Sequence, residues 1–548
     1  MLHHIRRLLS AALLLVSAFA VAFARTGAHA AVHKSPSAGG RAGVLRLAML
    51  DTLPKVDPAL VTDDENVQLA NLLYVGLVRL DASYRVVPAA AYKWTVSRDH
   101  KTYTFSLRKN LRFSNGHPLT ARDFAYAMSR SLNPAVKSSA APTYLLDIRG
   151  APAMLSGKTK KVSGIRVVDN HTLRITARWA VPYFLMELTY PTAFALDSRV
   201  LSKLGGIESS AWYSNPVSSG PYRLKSWVTG SKMILVPNKY YRLSHPALKQ
   251  IVISLAPLPD KGLYQYVSQN LDVVALPAGD RTLTHQSFIA QTNMLAGDGL
   301  YMKVGAKPFD SRKVRQALDL SIDRKRIVAA TKGSSVTAWD GLTSPEQVKG
   351  SSENGFIHFD PKRAEKLWDS SPYVKKKLPQ LTLYYIDDPS NAKLANAIVR
   401  SWHKYLKLSV TTQALTPNTL VADVQSNSLP LYLSGWSADY PDQHDWVALQ
   451  WESDALNNNV QYHNPRFDRI VMTADVTWDQ TRRTHLYAEA QRLLLEDAAW
   501  IPLYVPHRLV FIRPTVTNLA LTGYGLIPKS GSWADVHVQV PAAHRRAK

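Results

Sequence analysis

Residues 381–436 alternate between short apolar segments and amphipathic segments, and this order constrains the fold more than any other feature of the chain. In chain order the segments are LTLYYI (381–386), SNAKLANAIVRSWHKYL (390–406), LSVTTQAL (408–415), NTLVADVQS (418–426) and LYLSGW (431–436). The first, third and fifth have the length and composition of strands, whereas the second and fourth have the spacing of helices. Strands joined by crossover helices pair in parallel, so we predict a parallel sheet and an α/β fold.

Other segments predict further elements on both sides of this region. Strands are expected at 44–50, 171–177 and 232–238, a hairpin within 103–116, and a helix at 310–330.

Three of the predicted helices are preceded by residues that suit the N-cap position. Thr120 and Asp123 have the spacing of a capping box, so a helix is expected to begin at Thr120. Either Asp310 or Ser311 caps the helix predicted at 310–330, and Ser390 caps the helix predicted at 390–406.

Length and composition indicate a multidomain globular protein. The 548 residues are too many for one hydrophobic core, so two to four domains are expected. Hydrophobic residues make up 46% of the chain and charged residues 20%, which is the composition of a folded protein and not of a disordered one.

The first thirty residues have the features of a secretory signal peptide. A basic start, MLHHIRR, precedes an apolar run, and Ala28-His29-Ala30 fits the small-x-small cleavage rule. We expect cleavage after Ala30, followed by a flexible leader at 31–43. The alternative is an uncleaved membrane anchor, since the apolar run is near the minimum length that spans a bilayer.

The chain contains no cysteine. Disulfides, thiolate metal sites and cysteine nucleophiles are therefore excluded, and so is the lipid-anchoring cysteine of exported lipoproteins. We expect a freely diffusing periplasmic protein.

The formal net charge is +25, but the basic residues are dispersed along the chain. Nucleic-acid-binding proteins usually concentrate such charge in clusters, so we do not expect a nucleic-acid partner. Attraction to anionic membrane surfaces and an acidic habitat both remain open as explanations.

Residues 435–439, GWSAD, resemble the G-x-S-x-G turn that exposes a hydrolase serine, with one difference. Asp439 replaces the second glycine, Pro441 interrupts the helix that should follow, and no Asp or His partner for Ser437 can be identified. The segment nevertheless follows a predicted parallel strand, at the sheet edge where α/β proteins bind ligands. A hydrolase is therefore disfavoured, whereas a binding site is not.

Asp439 lies close to Trp436 and offers a carboxylate beside an aromatic side chain. An ammonium group taken out of water needs a paired opposite charge, so this pair is suited to a cationic ligand group. The alternative, that Asp439 caps a following turn, is equally compatible with the spacing.

Two further motifs do not predict a cofactor. His444 with Asp442 and Asp445 forms a tight His/Asp cluster, but a metal would need ligands from elsewhere, and a solvated loop is the simpler interpretation. The segment 151–159 ends like a phosphate-binding loop but has Pro152 where the first glycine is needed. We predict no metal and no cofactor.

Four segments together resemble a known family. They are 92–134 (YKWTV to RSLNP), 218–241 (SSGPYRLKSW to NKYY), 309–327 (FDSRKVRQALDLSIDRKRI) and 435–442 (GWSADYPD). In this order they resemble the peptide- and oligopeptide-binding proteins of ATP-binding-cassette (ABC) importers, a group of periplasmic solute-binding proteins that also includes nickel carriers.

The resemblance implies a large, two-lobed α/β periplasmic-binding-protein fold, type II-like, with an extra subdomain, that closes over its ligand. The implied divisions are a first lobe (44–77, 206–309 and 501–548, the last ending in a basic tail), an extra subdomain (78–205) and a second lobe (310–500). The implied partners are a peptide or another small solute and an ABC permease of the inner membrane. The protein would act as a monomer and would not be an enzyme.

The resemblance also implies ligand-binding residues. Asp439 would hold the amino terminus of a peptide. The other residues that it implies in the binding site are Gly435, Trp436, Ser437, Tyr440, Glu65, Asn66, Tyr144 and Tyr504.

One departure from the family pattern leaves the ligand open. Some peptide-binding relatives carry arginines in or before the strand that leads to this loop, whereas LPLYLSGW (429–436, in this chain) has no basic residue. A nickel chelate or another non-peptide solute is therefore an alternative ligand, and a secreted serine hydrolase is the alternative from a different class.

Overall fold

The computed structural model of the chain describes residues 43–49, 54–203, 215–259, 263–276, 288–344, 358–376 and 378–539. The predicted signal peptide, with its cleavage site after Ala30, lies outside the described residues. So do residues 31–42 of the predicted leader and residues 540–548.

The strands within the described residues are listed here in chain order. They are β1 (Val44–Ala48), β2 (Val78–Leu80), β3 (Val86–Pro88), β4 (Ala91–Val96), β5 (Thr102–Leu107), β6 (Ile165–Asp169), β7 (Thr172–Thr176), β8 (Tyr222–Val228), β9 (Lys232–Pro237), β10 (Gln250–Ser254), β11 (Val273–Leu276), β12 (Ile289–Asn293), β13 (Ala296–Met302), β14 (Val336–Ala338), β15 (Leu381–Ile386), β16 (Val410–Leu415), β17 (Leu431–Ser437), β18 (Trp500–Ile512), β19 (Val516–Thr517), β20 (Leu519–Thr522), β21 (Gly525–Pro528) and β22 (His537–Val538).

The α-helices follow the same convention. They are α1 (Asp64–Leu73), α2 (Ala121–Ser131), α3 (Ala141–Leu145), α4 (Ala151–Leu155), α5 (Phe184–Glu187), α6 (Ser198–Lys203), α7 (Leu263–Asn270), α8 (Arg312–Leu320), α9 (Arg324–Lys332), α10 (Pro361–Asp369), α11 (Pro389–Leu406), α12 (Pro417–Gln425), α13 (Gln443–Trp451), α14 (Pro465–Asp475) and α15 (Gln480–Glu496). None of the helices in the described part of the chain is long and apolar enough to cross a membrane.

Two compact units make up the described chain. The central unit contains residues 292–508, and the flanking unit contains the described residues before 292 and after 508. The predicted second lobe (310–500) falls within the central unit, and the predicted extra subdomain (78–205) falls within the flanking unit. The boundaries of the lobes stay a prediction.

The central unit is built on a mixed sheet with the strand order β16–β15–β17–β13–β18. β15 runs parallel to both β16 and β17, which confirms the parallel arrangement predicted for the three strands within 381–436. β13 runs antiparallel to both β17 and β18, so the sheet as a whole is mixed. The α/β class is confirmed.

Helices of the central unit pack on both faces of this sheet, and α11 contributes to the apolar core on one of them. Leu394, Ile398, Trp402 and Leu406 of α11 are all buried in it. α11 begins at Pro389, and Asp388 caps it by accepting a hydrogen bond from the Asn391 N–H at 2.9 Å. The prediction that Ser390 is the cap was therefore wrong, because proline at the first helical position moves the cap one residue before it.

The single helix predicted at 310–330 is two helices. α8 begins after Ser311 and ends at Leu320, and α9 begins after Asp323. Asp323 accepts a hydrogen bond from the Arg326 N–H at 3.1 Å. This cap starts a new helix where the apolar spacing alone predicted continuation.

The flanking unit contains a second mixed sheet, in which β1 pairs in parallel with β10 and β11, and β10, β9 and β8 pair in an antiparallel manner. A separate antiparallel sheet has the order β4–β5–β7–β6. The hairpin predicted within 103–116 is therefore wrong, since β5 pairs with β4 and β7. The capping box is confirmed, because Asp123 accepts a hydrogen bond from the Thr120 N–H at 2.8 Å.

Candidate functional site

β17 and α13 are joined by a short loop that contains Asp439. α13 is capped by Asp442, whose carboxylate accepts a hydrogen bond from the His444 N–H at 2.9 Å. Asp442 is in turn held by two hydrogen bonds from the Arg483 guanidinium, at 2.7 and 2.5 Å. Although burial opposes its ionisation, Arg483 keeps the pKa of Asp442 below its usual value. The capping task considered for Asp439 is thus performed by Asp442.

Asp445, in the first turn of α13, stabilises this loop through hydrogen bonds. Its carboxylate accepts hydrogen bonds from the Trp436 indole N–H at 2.6 Å, the Asp439 N–H at 2.9 Å and the Tyr440 N–H at 3.3 Å. Asp445 is fully buried. The sequence pattern had suggested a solvated loop here, whereas Asp445 fixes the backbone that carries Asp439.

Asp439 itself is half-buried, and it stands close enough to Asp445 for the two carboxylates to interact. Burial first, and the Asp439 charge second, hold the pKa of Asp445 far above its usual range. Two carboxylates that share a poorly hydrated site favour either a bound proton or a bound cation. The loop therefore holds two neighbouring acidic side chains, and burial favours the protonated form of Asp445.

Trp436 and Tyr440 flank the two carboxylates, and both side chains are buried. The Trp436 indole N–H donates its hydrogen bond to Asp445, so Trp436 stabilises the loop. The Tyr440 hydroxyl lies 2.5 Å from Nδ1 of His444. Burial lowers the pKa of His444 to about 3, so its imidazole is neutral at physiological pH.

The backbone of β17 has one edge paired and one edge open near its carboxyl end. The Ala438 N–H donates to the Leu295 carbonyl at 2.7 Å, in register with the β13–β17 ladder. Because hydrogen-bonded positions alternate in an antiparallel ladder, Gly435 and Ser437 direct their N–H and C=O groups to the other edge. On that edge, among the described residues, β15 pairs with β17 where Tyr384 faces Tyr432. Within the described residues, no strand pairs with the backbone of Gly435 and Ser437 on this edge, and Gly435 itself is buried.

Three residues implied by the family resemblance meet on one face of this sheet. Gly435 faces Asp298 of β13, and Asp298 also faces Tyr504 of β18. Ser437 lies two residues beyond Gly435 on the same face. The sequence analysis missed Asp298, which only the pairing of β13 between β17 and β18 brings to this position.

The other residues implied by the resemblance belong to the flanking unit. Glu65 lies in the first turn of α1 and is half-buried. Asn66 is buried, with its carboxamide accepting from the Lys55 N–H at 2.7 Å and donating to the Asp63 carboxylate at 2.8 Å. Tyr144 is buried and stacks on Tyr190, with ring centroids 3.5 Å apart. The side chains of Asn66 and Tyr144 thus serve the fold, and ligand contacts by these three residues stay predictions.

The described residues also bear on the hydrolase alternative and on metal binding. Among the described residues, the buried Ser437 hydroxyl has no hydrogen-bond partner, so none of them acts as a base that activates it as a nucleophile. No group of three histidine or acidic side chains suited to a metal ion comes together in the described ranges. His444, Asp442 and Asp445 are instead engaged in the contacts that shape the loop.

The described part of this α/β chain thus combines two neighbouring carboxylates in a loop with a strand edge that is unpaired beside them. The family model described as "Bacterial extracellular solute-binding proteins, family 5 Middle" matches residues 85–458. The chain belongs to this family. It is the solute-binding component of an ABC importer and is not an enzyme.

Several curated proteins and solved structures are similar over most of their length. The "Probable deoxycholate-binding periplasmic protein YgiS" of Escherichia coli is 28% identical over 479 residues, covering 85% of this chain and 88% of that protein. The oligopeptide-binding protein OppA of Bacillus subtilis is 26% identical over 468 residues, covering 82% and 84%. The structure of Burkholderia pseudomallei OppA matches with a TM-score of 0.75 at 23% identity, covering 91% of this chain and 99% of that one. The last match confirms the periplasmic-binding-protein fold.

Proposed function

We propose that this protein captures peptides in the periplasm and delivers them to an ABC permease of the inner membrane, with Asp439 pairing the ligand ammonium. The observation that carries the proposal is the pair formed by Asp439 and Asp445. A half-buried carboxylate, backed by a buried one, lies beside an open strand edge. A peptide offers the two complementary features, a terminal cation and an unpaired backbone.

The ammonium group supplies the orientation of the ligand. Truncating one partner of a hydrogen-bonded charge pair that is removed from water costs about 2–5 kcal/mol. Asp439 is only half-buried, so the lower end applies, and the loss of its charge is worth about 2 kcal/mol, or roughly 30-fold in affinity.

The backbone of β17 supplies affinity that does not depend on the ligand's sequence. An extended peptide that pairs with the open N–H and C=O groups of Gly435 and Ser437 adds a strand to the sheet. Asp439 lies past the carboxyl end of β17, so a peptide held there by its amino terminus runs back along the strand, antiparallel to it. The closure of two lobes over such a ligand stays a prediction.

The names of the relatives support peptides but include another class of ligand. OppA of Bacillus subtilis is named as oligopeptide-binding, whereas YgiS of Escherichia coli is named as deoxycholate-binding. Deoxycholate is an anion, and the Asp439–Asp445 pair disfavours an anion at this end of the site. A nickel chelate would need to present a cationic face to the same pair.

Calorimetric titration of the purified protein tests the proposal against these alternatives. The ligands are trialanine, deoxycholate and a nickel chelate, and the variants are Asp439→Asn and the matched neighbour Ser437→Ala. We expect trialanine to bind, to lose roughly 30-fold with Asp439→Asn, and to lose much less with Ser437→Ala. Binding of deoxycholate or the chelate without trialanine would contradict the proposal, and hydrolysis of trialanine that Ser437→Ala abolishes would restore the enzyme alternative.

A further inference from the structure

Asp298 is a carboxylate that neither the fold nor the loop around Asp439 explains. It occupies β13 in the middle of the central sheet and is half-buried. Its carboxylate accepts no hydrogen bond from the residues that the structure describes, and the nearby charge that acts on it is Lys332. Carboxylates withdrawn from water without hydrogen bonds are rare and need a reason.

Lys332 compensates Asp298 only in part. Its ammonium lies 2.8 Å from the Ser390 hydroxyl and 2.5 Å from the Asn391 side-chain oxygen, and Asp388 is 3.9 Å away. Among the described residues, the salt bridge of that ammonium is with Asp388 and not with Asp298, which feels the lysine charge from a longer distance. Two carboxylates therefore share one lysine, and the second carboxylate, Asp298, is left without a direct partner.

The Asp298 carboxylate lies over Gly435, its partner in the β13–β17 ladder. A Cβ atom added to Gly435 would lie 2.6 Å from Oδ1 of Asp298. Glycine is thus the residue that allows the carboxylate to occupy this space. The Asp298 carboxylate therefore lies next to β17, the strand whose unpaired edge is proposed to bind the ligand.

A second polar group on the same face also lacks a partner. The Ser437 hydroxyl oxygen, two residues along β17 from Gly435, is buried and has no hydrogen bond to any residue that the structure describes. An unmade hydrogen bond on a buried hydroxyl is destabilising unless another molecule completes it. Asp298 and Ser437 together are an acceptor pair that no described side chain satisfies.

We infer that Asp298 is a specificity-determining residue that binds a cationic side chain of the ligand, so that the preferred ligands are peptides with lysine or arginine at the third position. The inference rests on the proposed function, because it takes the ligand to be a peptide anchored at Asp439.

The position follows from the geometry of an added antiparallel strand. A peptide whose first residue faces Ser437 places its third residue opposite Gly435, since both strands advance two residues between positions of the same orientation. Side chains of directly opposed residues share one face of a sheet, so the third side chain points to the face that carries Asp298. The spacing between neighbouring strands is about 4.8 Å, which a lysine or arginine side chain spans.

Tripeptide titrations of the full-length mature protein test this assignment. The ligands are Ala-Ala-Lys, Ala-Lys-Ala and Ala-Ala-norleucine, in which norleucine keeps the length of lysine without its charge. The proteins are the wild type, Asp298→Asn, and Asp369→Asn as a matched control, because Asp369 is an exposed carboxylate of the same unit.

We expect the wild type and Asp369→Asn to bind Ala-Ala-Lys about tenfold more tightly than the other two peptides. In Asp298→Asn this preference should disappear while the affinity for Ala-Ala-norleucine is kept, and that retained affinity also shows that the variant folds. Equal binding of Ala-Ala-Lys and Ala-Lys-Ala by the wild type would overturn the inference without requiring any variant. So would an unchanged preference in Asp298→Asn.

The two proposals fail in distinguishable ways. If the wild type binds all three peptides equally, the third-position inference is wrong and the proposed function stands. If the wild type binds none of them, the peptide proposal is wrong and the inference falls with it.

Discussion

Three aspartates in the central unit have different tasks because their surroundings differ. Asp445 is fully buried and accepts three hydrogen bonds from the loop, so it acts as a structural acceptor. Asp439 is half-buried, and its backbone is held by Asp445. Asp298 is half-buried and accepts no hydrogen bond from the described residues. The chemical identity of the side chain is the same in each case, and only the environment separates the supporting Asp445 from the two aspartates that are proposed to bind the ligand.

Replacing Asp445 by alanine should destabilise the protein. The Trp436 indole N–H and the N–H groups of Asp439 and Tyr440 would lose their acceptor inside the protein. We expect a loss of about 2–4 kcal/mol in the free energy of unfolding, measured by urea denaturation. Asp369→Ala, at an exposed position, should change it by less than about 0.5 kcal/mol. Equal stability of the two variants would show that Asp445 does not hold the loop.

The preference for a third-position lysine should depend on pH. Burial raises the pKa of Asp298 to about 6, and the Lys332 ammonium opposes that rise without cancelling it. The other groups that interact with Asp298 are the phenols of Tyr301 and Tyr504, which remain neutral because burial raises the pKa of both.

A raised pKa means that Asp298 is charged above pH 6 and neutral below it. The affinity ratio of Ala-Ala-Lys to Ala-Ala-norleucine should therefore be highest at pH 7–8 and fall towards one as the pH drops through about 6. Asp388, which also faces Lys332, has a lowered pKa and stays charged over this range. Titrations at about pH 5, 6 and 7.5 measure the ratio. A ratio that is constant across these pH values would argue against Asp298 as the partner.

The residues of the candidate loop could be proposed from the sequence, but the residues that stabilise the loop could not. Gly435, Trp436, Ser437 and Asp439 follow one another in the chain, so a local motif contains them all. Asp298 is more than a hundred residues away and reaches Gly435 only through the β13–β17 register. Asp445 is local, but its burial depends on the packing of α13, which the spacing of polar residues did not indicate.

At the scale of elements, β17 pairs with two neighbouring strands that run in opposite directions. β15 pairs with it in parallel through the crossover that the sequence alternation predicted. β13 pairs with it antiparallel, and its short apolar run, interrupted by three polar or glycine positions, gave no clear periodicity. Local patterns thus predicted the elements and the connections within 381–436, whereas pairing between distant strands required the whole chain.

The close contact between β13 and β17 makes Gly435 sensitive to substitution. A Cβ atom there would lie 2.6 Å from Asp298 Oδ1 and 2.9 Å from the Gly297 carbonyl oxygen. Since a backbone carbonyl cannot turn away freely, we expect Gly435→Ala to lower the free energy of unfolding by about 1–3 kcal/mol and to weaken peptide binding.

Gly305→Ala is the matched control for this element. The nearest atom to its added Cβ would be the Gln461 side-chain oxygen at 3.7 Å, an ordinary contact. Thermal unfolding of the two variants, with trialanine affinity measured beside it, makes the comparison. If Gly435→Ala is as stable as Gly305→Ala and binds as well as the wild type, the strand contact has no role in the site.

At the scale of the whole molecule, export and processing decide where the site operates. The residues before 43 lie outside the described structure, so the signal peptide rests on the basic start, the apolar run and the Ala28-His29-Ala30 pattern. We expect the mature protein to begin at Ala31 and to appear in the periplasmic fraction of a Gram-negative host.

Intact-mass measurement and amino-terminal sequencing check this expectation. Ala30→Leu, which replaces the small residue at the cleavage site, should leave a larger, uncleaved product, whereas Ala22→Leu in the apolar run should be processed normally. A wild-type product that keeps its first thirty residues in the membrane fraction would favour the anchor considered as the alternative.

The central claim is that the Asp439 carboxylate binds the ligand's ammonium group, and a cycle of four affinities tests it most directly. Trialanine and N-acetyl-trialanine are titrated into the wild type and Asp439→Asn. Acetylation removes the cation and the variant removes the anion, so the two losses in binding free energy should not add. We predict that acetylation weakens binding roughly 30-fold in the wild type and no more than about threefold in Asp439→Asn. An equal loss in both proteins would contradict the account.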